Sequence, residues 1–214
     1  MRVPQPTPIY RMIHVENLEV CLRRGGLHAP NHCPADGLAY RTIHRMDVQA
    51  SRRVTAVPCG PGGTVHDYVA FYFGVLSPML LQLKTGQVPA YGEGQEPLIY
   101  LVCSVQAVVA AGLSFVLTDG HGLARWTQFF EEVARLDQVD WDVVGRRYWA
   151  DTIDDLDRQR RKQAEFLVHR FLPWRLVSEV GVRSDAMKAE VEAILAGRAD
   201  VERKMVVRRP GWYY

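Results

Sequence analysis

Apolar positions along the chain change period repeatedly, and each change marks an expected element. Ile9–His14 reads as a strand, and Val15–Arg24 carries apolar residues at helical spacing until Gly25–Gly26 stop it. His28–Gly37 is turn-rich. Asp47–Arg52 predicts a helical turn, and the three glycines and two prolines of Pro58–Gly63 predict a tight loop. His66–Phe73 follows as an apolar strand. Leu98–Ser104 and Ser114–Thr118 predict further strands around a short helix, Val105–Gly112, and Asp119–Gly122 forms a polar turn at a strand end. Trp126–Leu136 and Trp141–Tyr148 read as helices. Strands at Glu165–Val168, Val177–Val182 and Met205–Val207, with a charged helix Asp185–Gly197 between the last two, complete the chain. The order is neither a regular βαβα alternation nor an all-β meander, so the expected class is α+β.

With 214 residues, 48% of them hydrophobic, the chain can bury a sizeable core, and one domain over 1–214 is expected because two halves would each be poorly buried. The longest apolar runs, Val75–Leu83 and Leu98–Val116, are interrupted by polar residues, proline and glycine, so no bilayer span is expected. Met1–Pro8 has no apolar signal core, and a cytoplasmic protein without a membrane partner is the expectation. Cys21, Cys33, Cys59 and Cys103 form no C-x-x-C pair and are read as reduced thiols. His28, His32 and Cys33 lie close together, but prolines interrupt them and no second ligand cluster follows, so no metal is expected.

The net charge is only +2, so any polyanion binding must come from local clusters. Arginine outnumbers lysine 22 to 4 and doubles at Arg23–Arg24, Arg52–Arg53, Arg146–Arg147, Arg160–Arg161 and Arg208–Arg209. A planar guanidinium suits phosphate, while codon bias or heat tolerance explains the same excess. Dinucleotide-fold, P-loop, zincin and α/β-hydrolase motifs are all missing from the sequence. What remains is Glu165, at the head of an apolar strand and behind the charged run Asp151–Lys162. Such a carboxylate either protects an edge strand from aggregation or serves a site at the rim of a sheet.

The segment Arg158-Gln-Arg-Arg-Lys-Gln-Ala-Glu165-Phe-Leu-Val resembles the catalytic segment of the DarT family of DNA ADP-ribosyltransferase toxins. Ile9-Tyr-Arg-Met-Ile-His14-Val-Glu-Asn17-Leu is similar to that family's first strand and helix. Arg52-Arg53, Val57-Pro-Cys59-Gly-Pro-Gly62, Asp67-Tyr-Val-Ala-Phe71-Tyr72-Phe73 and Ser77-Pro-Met79-Leu80 resemble its central block, and Pro210-Gly-Trp-Tyr-Tyr214 its end. The pieces occur in the family's order from about His14 to the last residue.

The resemblance implies the ADP-ribosyltransferase fold, a split, bent β-sheet with flanking helices and an NAD cleft between its halves. It assigns catalysis to Glu165 with Arg52 or Arg53, and NAD binding to His14, Asn17, Arg52, Phe71, Tyr72, Phe73, Ser77 and Met79. It implies single-stranded DNA as substrate, modified at thymidine in the branch this sequence resembles more and at guanosine in another, and a toxin countered by a macrodomain antitoxin; a monomer is expected. Tyr148, Trp149, Arg158, Arg160, Arg161 and His121 are the candidate DNA contacts. The chemistry suits these residue types. Cleaving the nicotinamide–ribose bond leaves an oxocarbenium-like ribose that an anion stabilises, and a base nitrogen needs a proton acceptor. Plain readings compete: an F-Y-F strand serves the core, a lone histidine is hydrogen-bonded in place, and Asp151–Lys162 forms a solvated helix with i,i+4 pairs. Two other functions compete as well, an NAD-dependent RNA-modifying relative such as an RNA 2′-phosphotransferase and a non-catalytic single-stranded DNA-binding module.

Overall fold

The computed structural model describes residues 2–214. Strand β1 (Pro8–His14) leads into helix α1 (Glu16–Arg23), and β2 (Gly26–His28), α2 (Met46–Val54), β3 (Tyr68–Tyr72), α3 (Pro78–Lys84) and β4 (Leu98–Ser104) follow. The chain continues through α4 (Val105–Ala110), β5 (Phe115–Thr118), β6 (Phe129–Phe130), α5 (Trp141–Gly145), α6 (Arg158–Lys162) and β7 (Glu165–His169). It ends with β8 (Phe171–Pro173), β9 (Glu179–Val182), α7 (Asp185–Ala196) and β10 (Met205–Arg208).

Eight strands form one mixed sheet in the order β10-β9-β4-β1-β3-β7-β5-β6, and β2 pairs separately with β8. Pairing is continuous within each half: β1 matches β4 from Pro8↔Ser104 to His14↔Leu98, and β3 matches β7 from Tyr68↔His169 to Tyr72↔Glu165. Between the halves, β1 and β3 share only the Tyr10↔Tyr72 position. The sheet therefore splits at its centre, as the family resemblance implies. Strand alternation assigns the two faces of β1. Ile9 and Ile13 join Leu18 and Leu22 of α1 and Val191 and Leu195 of α7 in the main core, whereas Met12, with Leu98 and Tyr100 of β4, packs against Leu80 and Leu83 of α3 and against Tyr213.

Two expected helices change. Trp126–Leu136 is instead a turn, the short strand β6 and a 3-10 segment Val133–Gln138. Asp119 explains the difference, because its side chain accepts the Gln128 N–H at 2.8 Å and draws Phe129–Phe130 into pairing with β5. The helix beginning at Trp141 ends at Gly145. Helix α3 and the β2–β8 pair have no counterpart in the sequence-based expectation, and α6 covers only the end of the charged helix read over Asp151–Lys162. Helix α3 is nonetheless conventionally capped, with Ser77 accepting from Leu80 N–H and Pro78 at the first helical position. Among the described residues no helix is long and apolar enough to cross a membrane, and no group of three or more metal-ligating side chains assembles.

Candidate active site

The split between β1 and β3 opens into a cleft of about 380 Å³. Tyr10, Arg11 and Met12 line one side, Ala70 and Tyr72 the other. Arg52, His44 and Gln49 come from α2 and the chain before it, Met79 and Gln82 from α3, Gln159 and Gln163 from α6, and Glu165 from β7. Arg11 reaches across the split and donates to the Ala70 carbonyl at 2.8 Å.

Glu165 is 2% exposed and Arg52 8%, and Arg52 Nη1 donates to Glu165 Oε1 at 2.8 Å. Burial works to lower the Arg52 pKa, but the Glu165 charge and hydrogen bond outweigh it, so the guanidinium is held firmly protonated. Among the described residues, the second carboxylate oxygen, Oε2, is buried without a partner, as are Arg11 Nε and His66 Nδ1. A buried polar atom without a partner is costly, so these three positions suit a polar ligand. The backbone around Glu165 is held by Thr118, whose hydroxyl accepts from Glu165 N–H at 3.0 Å and donates to the Gly120 carbonyl at 2.7 Å.

The Asp119-Gly-His-Gly122 turn is built around this carboxylate. A Cβ on Gly122 would lie 2.7 Å from Glu165 Oε2, and one on Gly120 would meet the Arg160 guanidinium. Both glycines are therefore needed for close approach. His121 between them lines the cleft; burial chiefly, and Arg52 in addition, lower its pKa against the opposing pull of Glu165. His44 is lowered to about 4 by burial and then by Arg11 and Arg52. The cleft thus holds the guanidiniums of Arg11, Arg45 and Arg52, the carboxylates of Asp47 and Glu165, and imidazoles kept neutral near pH 7, a net positive set that fits an anionic pyrophosphate. Tyr72 lies beside Glu165 in register, and burial followed by the carboxylate's charge raises its phenol pKa.

Residues 10–214 match the profile of the family described as "ssDNA thymidine ADP-ribosyltransferase, DarT". The chain belongs to the DarT family. It is 43% identical over 211 residues to the DNA ADP-ribosyl transferase of Thermus sp. (strain 2.9), covering 99% of this chain and 98% of that protein. The Thermus aquaticus (strain ATCC BAA-2747 / Y51MC23) enzyme of the same description is 40% identical, with 99% and 90% covered. Among solved structures, Thermus sp. 2.9 DarT in complex with ADP-ribosylated ssDNA superposes with a TM-score of 0.93 at 42% identity, covering 100% of this chain and 99% of that one. The same protein in complex with NAD+ superposes at 0.89 with 41% identity, covering 100% of both chains. The fold is that of the DarT ADP-ribosyltransferases, and the chain is an NAD-dependent DNA ADP-ribosyltransferase.

Of the residues that the family resemblance singles out, the cleft gathers Arg52, Phe71, Tyr72, Met79, His121 and Glu165. Helix geometry separates the arginine pair, since neighbours on α2 point about 100° apart. Arg52 turns to Glu165 and Arg53 to solvent. Strand alternation likewise turns Tyr72 to the cleft and Phe73 to the core, where Phe73 packs on Trp141 and Phe166. Phe71 borders the cleft from the core side.

Other expected NAD contacts lie outside the lining. Ser77 spends its hydroxyl on the α3 cap. Asn17 braces the chain that carries His44, donating to the Arg41 carbonyl at 2.9 Å and accepting from Arg41 N–H at 2.6 Å. His14 accepts Glu16 N–H at Nδ1, and its Nε2 lies 3.4 Å from Glu93.

Of the expected DNA contacts, only His121 lines the cleft among the described residues. Trp149 is 9% exposed, with its indole N–H bonded to the Tyr214 hydroxyl, so it has no free face for a base. Arg160 is committed to Asp157 and Asp119, and Arg161 to Asp140 and Asp155. Their charges are neutralised within the fold; of the expected i,i+4 pairs, Asp157–Arg161 forms at 3.5 Å. Tyr148 is exposed, and Arg158 donates to its carbonyl at 3.3 Å. Arg11, His44, His66, Gln159 and Gln163 in the lining were not singled out from the sequence, since only the split places β1, α2 and α6 together.

Proposed function

We propose that Glu165 and Arg52 form the catalytic pair for transfer of ADP-ribose from NAD to a thymidine in single-stranded DNA, within one domain spanning residues 1–214. The observation that carries this reading is a buried carboxylate with one oxygen held by Arg52 and the other unpartnered, at the split of the sheet. The nicotinamide–ribose bond breaks with its electron pair leaving on nicotinamide, and the base nitrogen supplies the pair that forms the new bond to ribose C1. Glu165 stabilises the cationic ribose between these events and accepts the proton released by the base. N3 is the only ring nitrogen of thymidine that carries a proton, so it is the nucleophile. Arg52 holds the carboxylate in place through its hydrogen bond to Oε1; Arg11 and the neutral imidazoles receive the pyrophosphate side of NAD, and Tyr72 with Met79 borders the nicotinamide.

The base must leave any stack to reach a buried carboxylate, which favours unpaired DNA. The complexes of Thermus sp. 2.9 DarT with NAD+ and with ADP-ribosylated ssDNA support this substrate pair. In this reading the protein acts as a monomeric cytoplasmic toxin, and its modification is removed by a macrodomain antitoxin.

The test is to incubate the protein with NAD and single-stranded DNA or RNA oligonucleotides and follow the mass of each. DNA gains one ADP-ribose, RNA does not, and Glu165→Ala stops the gain. Modification of RNA instead would favour the RNA-modifying relative. Salt-sensitive DNA binding without modification, unaffected by Glu165→Ala, would favour the binding module.

A further inference from the structure

Trp126 is the large side chain whose position the catalytic reading leaves unused. It is 72% exposed, whereas Trp141, Trp149 and Trp174 are buried. A singly exposed apolar side chain is ordinary by itself; what distinguishes Trp126 is its setting. Its setting is rigid. Thr127, the next residue, donates to the His121 carbonyl at 2.7 Å, and its hydroxyl also lies 3.4 Å from Arg160 Nη1. Ala124 N–H bonds the same His121 carbonyl at 2.9 Å. The Trp126 backbone is therefore tied to the turn in which a Cβ on Gly122 would meet Glu165 and whose His121 lines the cleft. The Arg125 guanidinium lies 5.0 Å from the Trp126 ring centroid. An indole backed by an arginine that makes no ion pair among the described residues combines a stacking platform with a phosphate partner.

We infer that Trp126 is a DNA-binding residue that stacks on a nucleotide flanking the modified thymidine, with Arg125 contacting the adjacent phosphate. The inference rests on the proposed transfer to single-stranded DNA and adds a substrate contact to it. Stacking of this kind holds the strand while the target base turns into the cleft, so it acts on DNA affinity and leaves the chemical step alone.

The experiment measures transfer kinetics at saturating NAD with oligonucleotides carrying one thymidine, for wild type, Trp126→Ala and Trp126→Phe. Trp126→Ala is expected to raise the DNA KM roughly 10- to 100-fold, the range of one lost base–aromatic stack. Its kcat, its KM for NAD and its melting temperature stay near wild type, and Trp126→Phe recovers most of the affinity. An abasic site beside the thymidine should raise the wild-type KM and leave Trp126→Ala unchanged. An unaltered DNA KM in Trp126→Ala, or equal sensitivity of both proteins to the abasic site, overturns the inference. Failure of wild type to modify any DNA overturns the proposed function itself and is recognised before any variant is compared.

Discussion

Arg52 and Glu165 stand 113 positions apart in sequence and meet at 2.8 Å through a single guanidinium–carboxylate hydrogen bond. The geometry is one-sided: Oε1 is occupied and Oε2 is open. A salt bridge serving stability alone would be expected to satisfy both oxygens, since a buried pair repays its desolvation only when its remaining lone pairs are bonded. The open oxygen is the feature on which the proposed role of this pair rests.

Removal of either partner should have different consequences. Glu165→Gln keeps the shape and removes the charge, so kcat should fall by about 10³-fold while NAD affinity, read by calorimetry, changes little. Arg52→Ala leaves a buried carboxylate uncompensated and should cost about 3–5 kcal/mol in denaturant unfolding as well as activity. Arg53→Ala, on the exposed side of α2, should stay within about 0.5 kcal/mol of wild type. Equal, mild losses in the two arginine variants would remove Arg52 from the catalytic pair.

Gly122→Ala places a methyl group 2.7 Å from Glu165 Oε2 in an otherwise intact turn. The carboxylate must move, and a displacement of about 1 Å at a reacting centre costs about 10²-fold in rate. The variant should fold with nearly wild-type circular dichroism and lose transfer. Full activity in Gly122→Ala would show that the open oxygen is not the working one.

The cleft imidazoles set an acid limit. His44 has its pKa lowered from 6.5 to about 4, so between these values the unfolded chain binds a proton that the folded chain refuses. Stability is therefore complete above about pH 6.5 and falls as the pH drops toward about 4. Discounted for a partly exposed ring, the loss is about 1–2 kcal/mol. His66 and His121 are lowered in the same direction. His44→Asn should flatten the dependence of melting temperature on pH across this window; a profile parallel to wild type would refute the assignment.

Tyr214 links two walls of the cleft through one hydroxyl. It donates to the Leu76 carbonyl at 2.5 Å, just ahead of α3 and Met79, and accepts from the Trp149 indole at 2.5 Å, ahead of α6. Leu76 sits at φ 57°, a costly conformation for a non-glycine residue that its surroundings must maintain. Tyr214→Phe leaves both partners short of a hydrogen bond and should cost about 1–3 kcal/mol. It should also raise the KM for NAD while kcat holds, and an unchanged KM would limit Tyr214 to a purely structural role.

Much of the architecture was legible along the chain because local chemistry is enough to specify it. The strands at Ile9–His14 and Leu98–Ser104, the helix after Val15 and the charged helix from Asp185 all stand within a residue or two of their expected bounds. The order of family motifs also pointed to Glu165. Where expectation failed, a long-range bond had overridden local pattern, as when Asp119 drew the segment after Trp126 into a hairpin.

The sequence by itself determined the α+β class, the family and the identity of the acidic residue at the centre of the site, because each is carried by residues close together or by motifs in a set order. Only the tertiary structure decided which arginine meets that carboxylate, which residue of the Phe71–Phe73 strand faces the cleft, and which tryptophan is exposed. Those outcomes depend on the direction of a side chain relative to elements distant in the chain. Trp126 and Trp149 are the same residue type, yet one lies in solvent and the other bonds to Tyr214. Packing across the split sheet makes that distinction, and no local pattern contains it.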